Sequence, residues 1–191
     1  VEASVAANPC HGGVLDGAYV EFGADSAVPL LQKYENLLVV MTYSKSRSMA
    51  GARLGFALGS RALIQDLEKL KYSTNPYNVN RLTLKLGQAA VDSDGYFREK
   101  AREIMATREK TAQALRALGF TLPDSQANFL FVAHPKVAGE TLYRKCKEKG
   151  VLIRHFSDPA IAAYNRVTIG APAEMEAFLA VVQTILKEEG A

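Results

Sequence analysis

Two side chains in the first quarter of the chain have the makings of a carbonyl-handling site. Asp16 follows the apolar pair Val14-Leu15, and Lys45 follows the apolar run Leu37-Leu38-Val39-Val40-Met41. An uninterrupted apolar run of that length suits a strand covered on both faces, as in a parallel sheet. Ligands of such sheets bind beyond the carboxyl ends of the strands, so Asp16 and Lys45 are expected on one rim. An amine and a carboxylate there suit pyridoxal 5'-phosphate (PLP). The amine condenses with its aldehyde, and the carboxylate keeps the ring nitrogen protonated so that the ring can withdraw electrons. Thr42, Ser44 and Arg53 lie close to Lys45 in sequence and offer hydroxyl and guanidinium groups suited to a phosphate. Tyr19, three residues past Asp16, offers a phenol to the ring oxygen. A solvated loop lysine and a turn aspartate would look the same in sequence, and spacing alone leaves that alternative open.

The elements that must position these groups can be read in outline. Val14-Leu15 reads as a short buried strand, and residues 29–32 as a short crossover helix leading to the second strand. The stretch Leu54-Gly55-Phe56-Ala57-Leu58 reads as a third strand. Only residues 43–51 separate Thr42 from Ala52, fewer than a parallel crossover needs, so the third strand is expected to run antiparallel. Ser60 is a candidate N-cap for a helix with Leu63, Ile64, Leu67 and Leu70 on one face. A second helix is expected over 79–91 with Leu82, Leu86 and Ala89/Ala90 inward. A long amphipathic helix over 96–118 stops at Gly119, a left-handed C-cap. Then come a strand at 128–133, a helix at 139–149 closed by Gly150, strands at 151–153 and 166–169, and a last helix from Pro172. Its buried face is Met175, Phe178, Leu179, Val182, Ile185 and Leu186. The fold class is therefore α/β: a partial, mostly parallel sheet with one antiparallel strand over residues 1–92, then a smaller α/β domain over 93–191.

Composition excludes several classes. The 191 residues are 48% hydrophobic and 23% charged, which is ordinary for a globular protein and unlike a disordered tail. No stretch approaches the ~18 apolar residues of a membrane helix. A net charge of +3 is too balanced for a nucleic-acid footprint, so neither nucleic acid nor membrane is expected as a partner. Cys10 and Cys146 are far apart and fit no metal spacing, as do His11, His134 and His155, so no metal is assigned. Two unremarkable thiols suit a reduced, cytoplasmic protein. The chain begins at Val1 with no signal-peptide pattern and reads as starting inside a larger protein.

Five motifs in order carry a family resemblance that spans essentially the whole chain. They are Asp16-Gly17-Ala18-Tyr19-Val20-Glu21-Phe22, the stretch Thr42-Tyr43-Ser44-Lys45 through Arg53-Leu54-Gly55, Pro76-Tyr77-Asn78-Val79-Asn80, Ser125-Gln126-Ala127-Asn128-Phe129, and the pair Gly150-Val151-Leu152-Ile153-Arg154 and Arg166-Val167-Thr168-Ile169-Gly170. Together they resemble the fold-type I, class I/II PLP-dependent aminotransferases, and most nearly their histidinol-phosphate branch. The resemblance implies Lys45 as the cofactor-bearing lysine and proton shuttle, Asp16 on the pyridine nitrogen, Tyr19 on the ring oxygen, and Thr42, Ser44 and Arg53 on the cofactor phosphate. It implies Arg166 on the substrate α-carboxylate and Arg154 on a substrate phosphate or distal carboxylate, anions that a planar guanidinium suits. It also implies small-molecule amino-acid and oxo-acid substrates and a homodimer.

The chain departs from that pattern at Gly17, where the family has Glu, and at Met49 and Ala52, where leucines are more typical. The family's cofactor phosphate loop, its ring-stacking aromatic and its Asn-Pro-x-x-Pro motif would lie upstream of Asp16, where only fifteen residues stand. Threonine-phosphate decarboxylation, aromatic transamination and a non-catalytic remnant are the rival functions within the resemblance. A nucleotide-binding α/β protein is disfavoured, because Gly12, Gly13 and Gly17 form no dinucleotide fingerprint and there is no Walker loop.

Overall fold

A computed structural model describes the whole chain, residues 1–191. The chain divides into two compact units, Val1–Glu99 and Lys100–Ala191.

The first unit opens with a short helix, α1 (Glu2–Ala6), and holds three strands, β1 (Gly13–Asp16), β2 (Leu37–Thr42) and β3 (Gly55–Gly59), in the order β1-β2-β3. β1 and β2 pair parallel with Asp16 opposite Val40, and β3 pairs antiparallel with Gly55 opposite Thr42. The short link after β2 thus forces the reversal expected of it. Gly55 and Gly59 permit the close approach of β3. A Cβ at Gly55 would lie 2.8 Å from the Met41 carbonyl oxygen, and one at Gly59 would lie 2.9 Å from Leu38 Cδ1.

The core of this unit gathers Val5, Ala27, Leu37 and Val39, with Leu15, Leu30, Leu31, Tyr34 and Met41 packed around them. Several of its residues come from a single 3-10 turn, Val28–Gln32, which stands where a crossover helix was expected. Burial along β2 alternates, with Leu37 and Val39 1% exposed and Val40 36%. The apolar run expected to be covered on both faces is therefore covered on one within this chain, and Val14, expected to be buried, is 70% exposed.

Helix α2 (Arg61–Thr74) is capped by the Ser60 hydroxyl, which accepts from the Leu63 N–H, and it buries no residue fully. Helix α3 (Arg81–Asp92) starts two residues later than its pattern suggests, because the Asn80 side chain accepts from the Thr83 N–H at 2.8 Å and fixes the N-cap there. Its buried stripe is Thr83, Gly87 and Ala90, while Leu82 and Leu86, expected inward, are exposed. Leu54 Cδ2 occupies the space beside Gly87 where a side chain would start. The helix therefore presents its small residues to the unit and turns its leucines outward.

Helix α4 (Asp94–Ala117) begins in the first unit and continues into the second, where it ends at Gly119 with φ +86°. The second unit adds β4 (Phe129–Val132), α5 (Gly139–Glu148), β5 (Arg154–His155), β6 (Asn165–Thr168) and α6 (Pro172–Glu188). Its sheet has the order β4-β6-β5 and is antiparallel throughout. Leu115, Leu130, Val132, Leu142, Cys146, Val167, Phe178, Val182 and Ile185 fill the core between this sheet and its helices. The apolar stripe of α6 is buried as its period predicts, with only Leu179 partly exposed.

The strand expected at 151–153 lies later, at Arg154–His155. Gly150 takes a left-handed conformation and the Val151 N–H turns back to the Cys146 carbonyl at 2.9 Å, so Val151 belongs to the helix cap rather than to a ladder.

Candidate active site

The parallel register of β1 and β2 brings the two strand ends to one rim. Asp16 closes β1, and its Oδ1 accepts from the Ala18 N–H at 2.9 Å, a local turn that hands the chain on to Tyr19. Tyr19 precedes a 3-10 turn, Val20–Phe22. Lys45 comes back to this segment from the end of β2, with its Nζ 5.2 Å from the centre of the Tyr19 ring. Lys45 is half-buried and no carboxylate is within ion-pair distance of its amine. Asp16 itself is exposed and makes no ion pair with Lys45.

The loop that carries Lys45 is tightly wound. The Thr42 hydroxyl accepts from the Ser44 N–H at 3.1 Å, and the Tyr43 N–H donates to the Leu54 carbonyl at 3.0 Å. The Met49 N–H donates to the Tyr43 carbonyl, and the Ser48 N–H to that of Lys45. The two non-glycine residues with positive φ, Ser48 at 54° and Arg53 at 55°, both lie in this loop. Such backbone is uncommon outside glycine and persists where surrounding contacts enforce it. Arg53 Nη1 donates to the Ala50 carbonyl at 3.1 Å. Thr42 and Arg53 therefore stand at the two ends of one loop whose backbone is pinned through Leu54, with Ser44 and Lys45 between them.

These residues fit the group the sequence suggested. The amine has no anionic partner to compete with an aldehyde, a phenol lies beside it, and hydroxyls and a guanidinium share its loop. Cys146 offers no competing nucleophile, since burial pushes its thiol up to about 11. No cluster of His, Cys, Asp and Glu is arranged to hold a metal ion.

The second unit carries the two arginines. Arg154 and Arg166 are direct cross-strand partners on β5 and β6, and Phe131 of β4 is the partner of Arg166 on its other side. Side chains alternate faces along a strand, so one face of this sheet carries Phe129, Phe131, Tyr164, Arg166, Arg154 and Phe156. Phe131 stacks on Tyr164 with ring centres 4.6 Å apart. The Arg166 guanidinium lies 5.5 Å from the Phe129 ring, and that of Arg154 lies 5.7 Å from Phe156. Arg166 Nε is buried and has no hydrogen-bond partner. The two arginines are register partners and neither is ion-paired with a carboxylate, a state in which guanidinium groups suit an anion.

The opposite face is tied by Asn165, fully buried. Its amide donates to the Gly139 carbonyl at 2.9 Å, and its Oδ1 meets His155 Nδ1 at 3.2 Å. The aromatic companions and Asn165 went unread in the sequence, although aromatics two residues apart at 129 and 131 are the mark of a strand face. Glu21, Ser46 and Arg47 lie inside the quoted motifs but were given no role there, and Asp94 lies outside them.

Known proteins resemble this chain along nearly its whole length. The family described as "Aminotransferase class I and II" matches residues 5–182. The histidinol-phosphate aminotransferase of Brachyspira hyodysenteriae is 47% identical over 91% of this chain and 49% of its own length. Histidinol-phosphate aminotransferase 1 of Bordetella parapertussis is 46% identical over 97% of this chain and 52% of its own. The chain thus spans about half the length of the curated relatives it matches. The structure of histidinol-phosphate aminotransferase from Sinorhizobium meliloti in complex with pyridoxal-5'-phosphate superposes with a TM-score of 0.81, at 24% identity over 98% of this chain and 53% of that one. A family match over nearly the whole chain and relatives at this identity lead to one conclusion: the chain belongs to the class I and II aminotransferases.

Proposed function

We propose that this chain carries the lysine-bearing part of a PLP-dependent site that moves an amino group between glutamate/2-oxoglutarate and histidinol phosphate/imidazole-acetol phosphate, a step of histidine biosynthesis. The observation that carries it is the half-buried, anion-free Lys45 amine beside Tyr19, in a loop bounded by Thr42 and Arg53. Relatives of that name at 46–47% identity support the substrate pair. In this proposal residues 1–92 are the later part of a large cofactor-binding domain and residues 93–191 a small domain.

When bound, PLP supplies an electron sink that acidifies the substrate Cα–H. Lys45 Nζ would hold the cofactor and would be the group that carries the substrate Cα proton. Asp16 holds the proton on the ring nitrogen, and Tyr19 Oη donates to the ring oxygen. Thr42, Ser44 and Arg53 bind the phosphate, using hydroxyl and guanidinium donors in charge-assisted hydrogen bonds. Arg166 grips the α-carboxylate. Arg154 grips the second anion, phosphate or distal carboxylate, and the aromatic face beside both arginines excludes water. The protein containing the chain is proposed to act as a homodimer in the cytoplasm. No helix is long and apolar enough to cross a membrane.

The test is a PLP titration followed by visible absorption, with Lys45→Ala as control. A lysine-dependent band that shifts on adding glutamate supports the proposal. A band of equal strength in Lys45→Ala refutes the assignment of Lys45. A shift with threonine phosphate and none with histidinol phosphate moves the substrate to the decarboxylase branch.

A further inference from the structure

The residues flanking Lys45 are held by groups that no motif assigned. Glu21 sits in the 3-10 turn directly after Tyr19, and its two carboxylate oxygens take the two residues that follow the lysine. Oε2 accepts from the Ser46 hydroxyl, and Oε1 accepts from Arg47 Nη2 at 2.9 Å. The same Arg47 nitrogen lies 2.7 Å from Asp94 Oδ1, in the first turn of α4, and the guanidinium packs 5.3 Å from the Phe97 ring. Ser46 is buried, and the Arg47 side chain is 16% exposed. The hydrogen bond from Arg47 is the main reason that the Asp94 carboxyl is held below the usual range.

We propose that Arg47 is a positioning residue: with Glu21 it locks the Lys45 loop to the segment bearing Asp16 and Tyr19, and with Asp94 and Phe97 it locks both to the start of α4. The proposal rests on the assignment of Lys45 made above. Three segments distant in sequence meet on one guanidinium, and two of them carry the cofactor-facing groups. A planar guanidinium that bridges two carboxylates and stacks on a ring is a task lysine cannot reproduce. Arg47 Nη1 is buried with no hydrogen-bond partner, a cost that stability alone would not select. Removing the cation also leaves the Glu21 and Asp94 carboxylates without the guanidinium they share.

Two measurements on the chain test this, using Arg47→Met, Arg47→Lys and Glu21→Gln. The first is hydrogen exchange without cofactor. Faster exchange over residues 43–49 is expected in Arg47→Met, with exchange over 100–191 and far-ultraviolet dichroism unchanged. The second is PLP titration of the visible band. A dissociation constant raised at least roughly tenfold is expected, the scale of one lost hydrogen bond to a charged group. Arg47→Lys should restore both exchange and affinity in part. Unchanged exchange over 43–49 in Arg47→Met overturns the proposal, as does faster exchange with an unchanged dissociation constant. If Arg47→Met does not fold, Glu21→Gln, which keeps an acceptor for Ser46, must show the same directions or the proposal fails. If the parent chain gives no lysine-dependent band, the assignment of Lys45 falls, and the exchange measurement alone still decides whether Arg47 anchors the loop.

Discussion

Replacing Arg166 with methionine should make the second unit more stable while removing its response to anions. Three terms set the size. Arg166 Nε is buried without a partner, and such a group costs about 1–3 kcal/mol. Arg154 stands directly opposite on β5, and like charges so placed cost on the order of 0.2–1 kcal/mol, toward the lower end because Arg154 is exposed and screened. Against these, the guanidinium loses its contact with the Phe129 ring at 5.5 Å, worth about 0.5–1 kcal/mol. The balance favours Arg166→Met by about 1 kcal/mol, since an unbranched thioether can follow the same path across the sheet. Urea unfolding reads this as a rise in midpoint of about 0.5–1 M for a domain of this size. The same titration with inorganic phosphate or 2-oxoglutarate should raise the midpoint of the parent chain and leave the variant unmoved, because an anion that binds only the folded state stabilises it by mass action. A variant less stable than the parent without anion, or an equal anion effect in both, would refute the argument that the paired arginines are held apart from carboxylates to receive an anion.

Two further outcomes are expected. Asn165→Leu removes both hydrogen bonds of a fully buried amide, to the Gly139 carbonyl and the His155 ring, so the second unit should lose about 1–3 kcal/mol in urea unfolding, and stability equal to the parent would show that the amide network is idle. At the ends of α5 and α6, hydrogen bonds from Lys149 and Lys145 hold the Glu188 carboxyl below its ordinary value of 4.5, while Glu189 and Glu188 hold Lys145 above 10.5. A lowered carboxyl adds stability above its unfolded value that is lost as pH falls through the folded one, and a raised amine adds stability that is lost as pH rises beyond 10.5. Unfolding midpoints in Glu188→Gln should therefore fall less than the parent's on going from pH 7 to acid, and identical acid limbs would count against these pairs.

The sequence by itself determined the local chemistry and most of the elements. The short link before Leu54 dictated an antiparallel β3. Ser60, Gly119 and Gly150 marked helix ends through interactions that span only a few residues. The apolar period of α6 specified its buried face, and the rim residues were visible because they follow strand ends. What needed tertiary structure was every choice made by a distant partner. Leu54 lodges against Gly87 and so turns Leu82 and Leu86 of α3 outward. Met41 Sδ fills the place where a side chain at Gly17 would begin, so the residue that departs from the family pattern is matched by packing from the next strand. Arg47 reaches Glu21 and Asp94 only once the strands are registered. Arg154 stands opposite Arg166 because Val151 is drawn into a helix cap and the ladder of β5 begins only at residue 154. Periodicity and capping act within a few residues and can be read from the letters. Register and ion-pair partnership are set by which surfaces meet, and only the folded chain decides that.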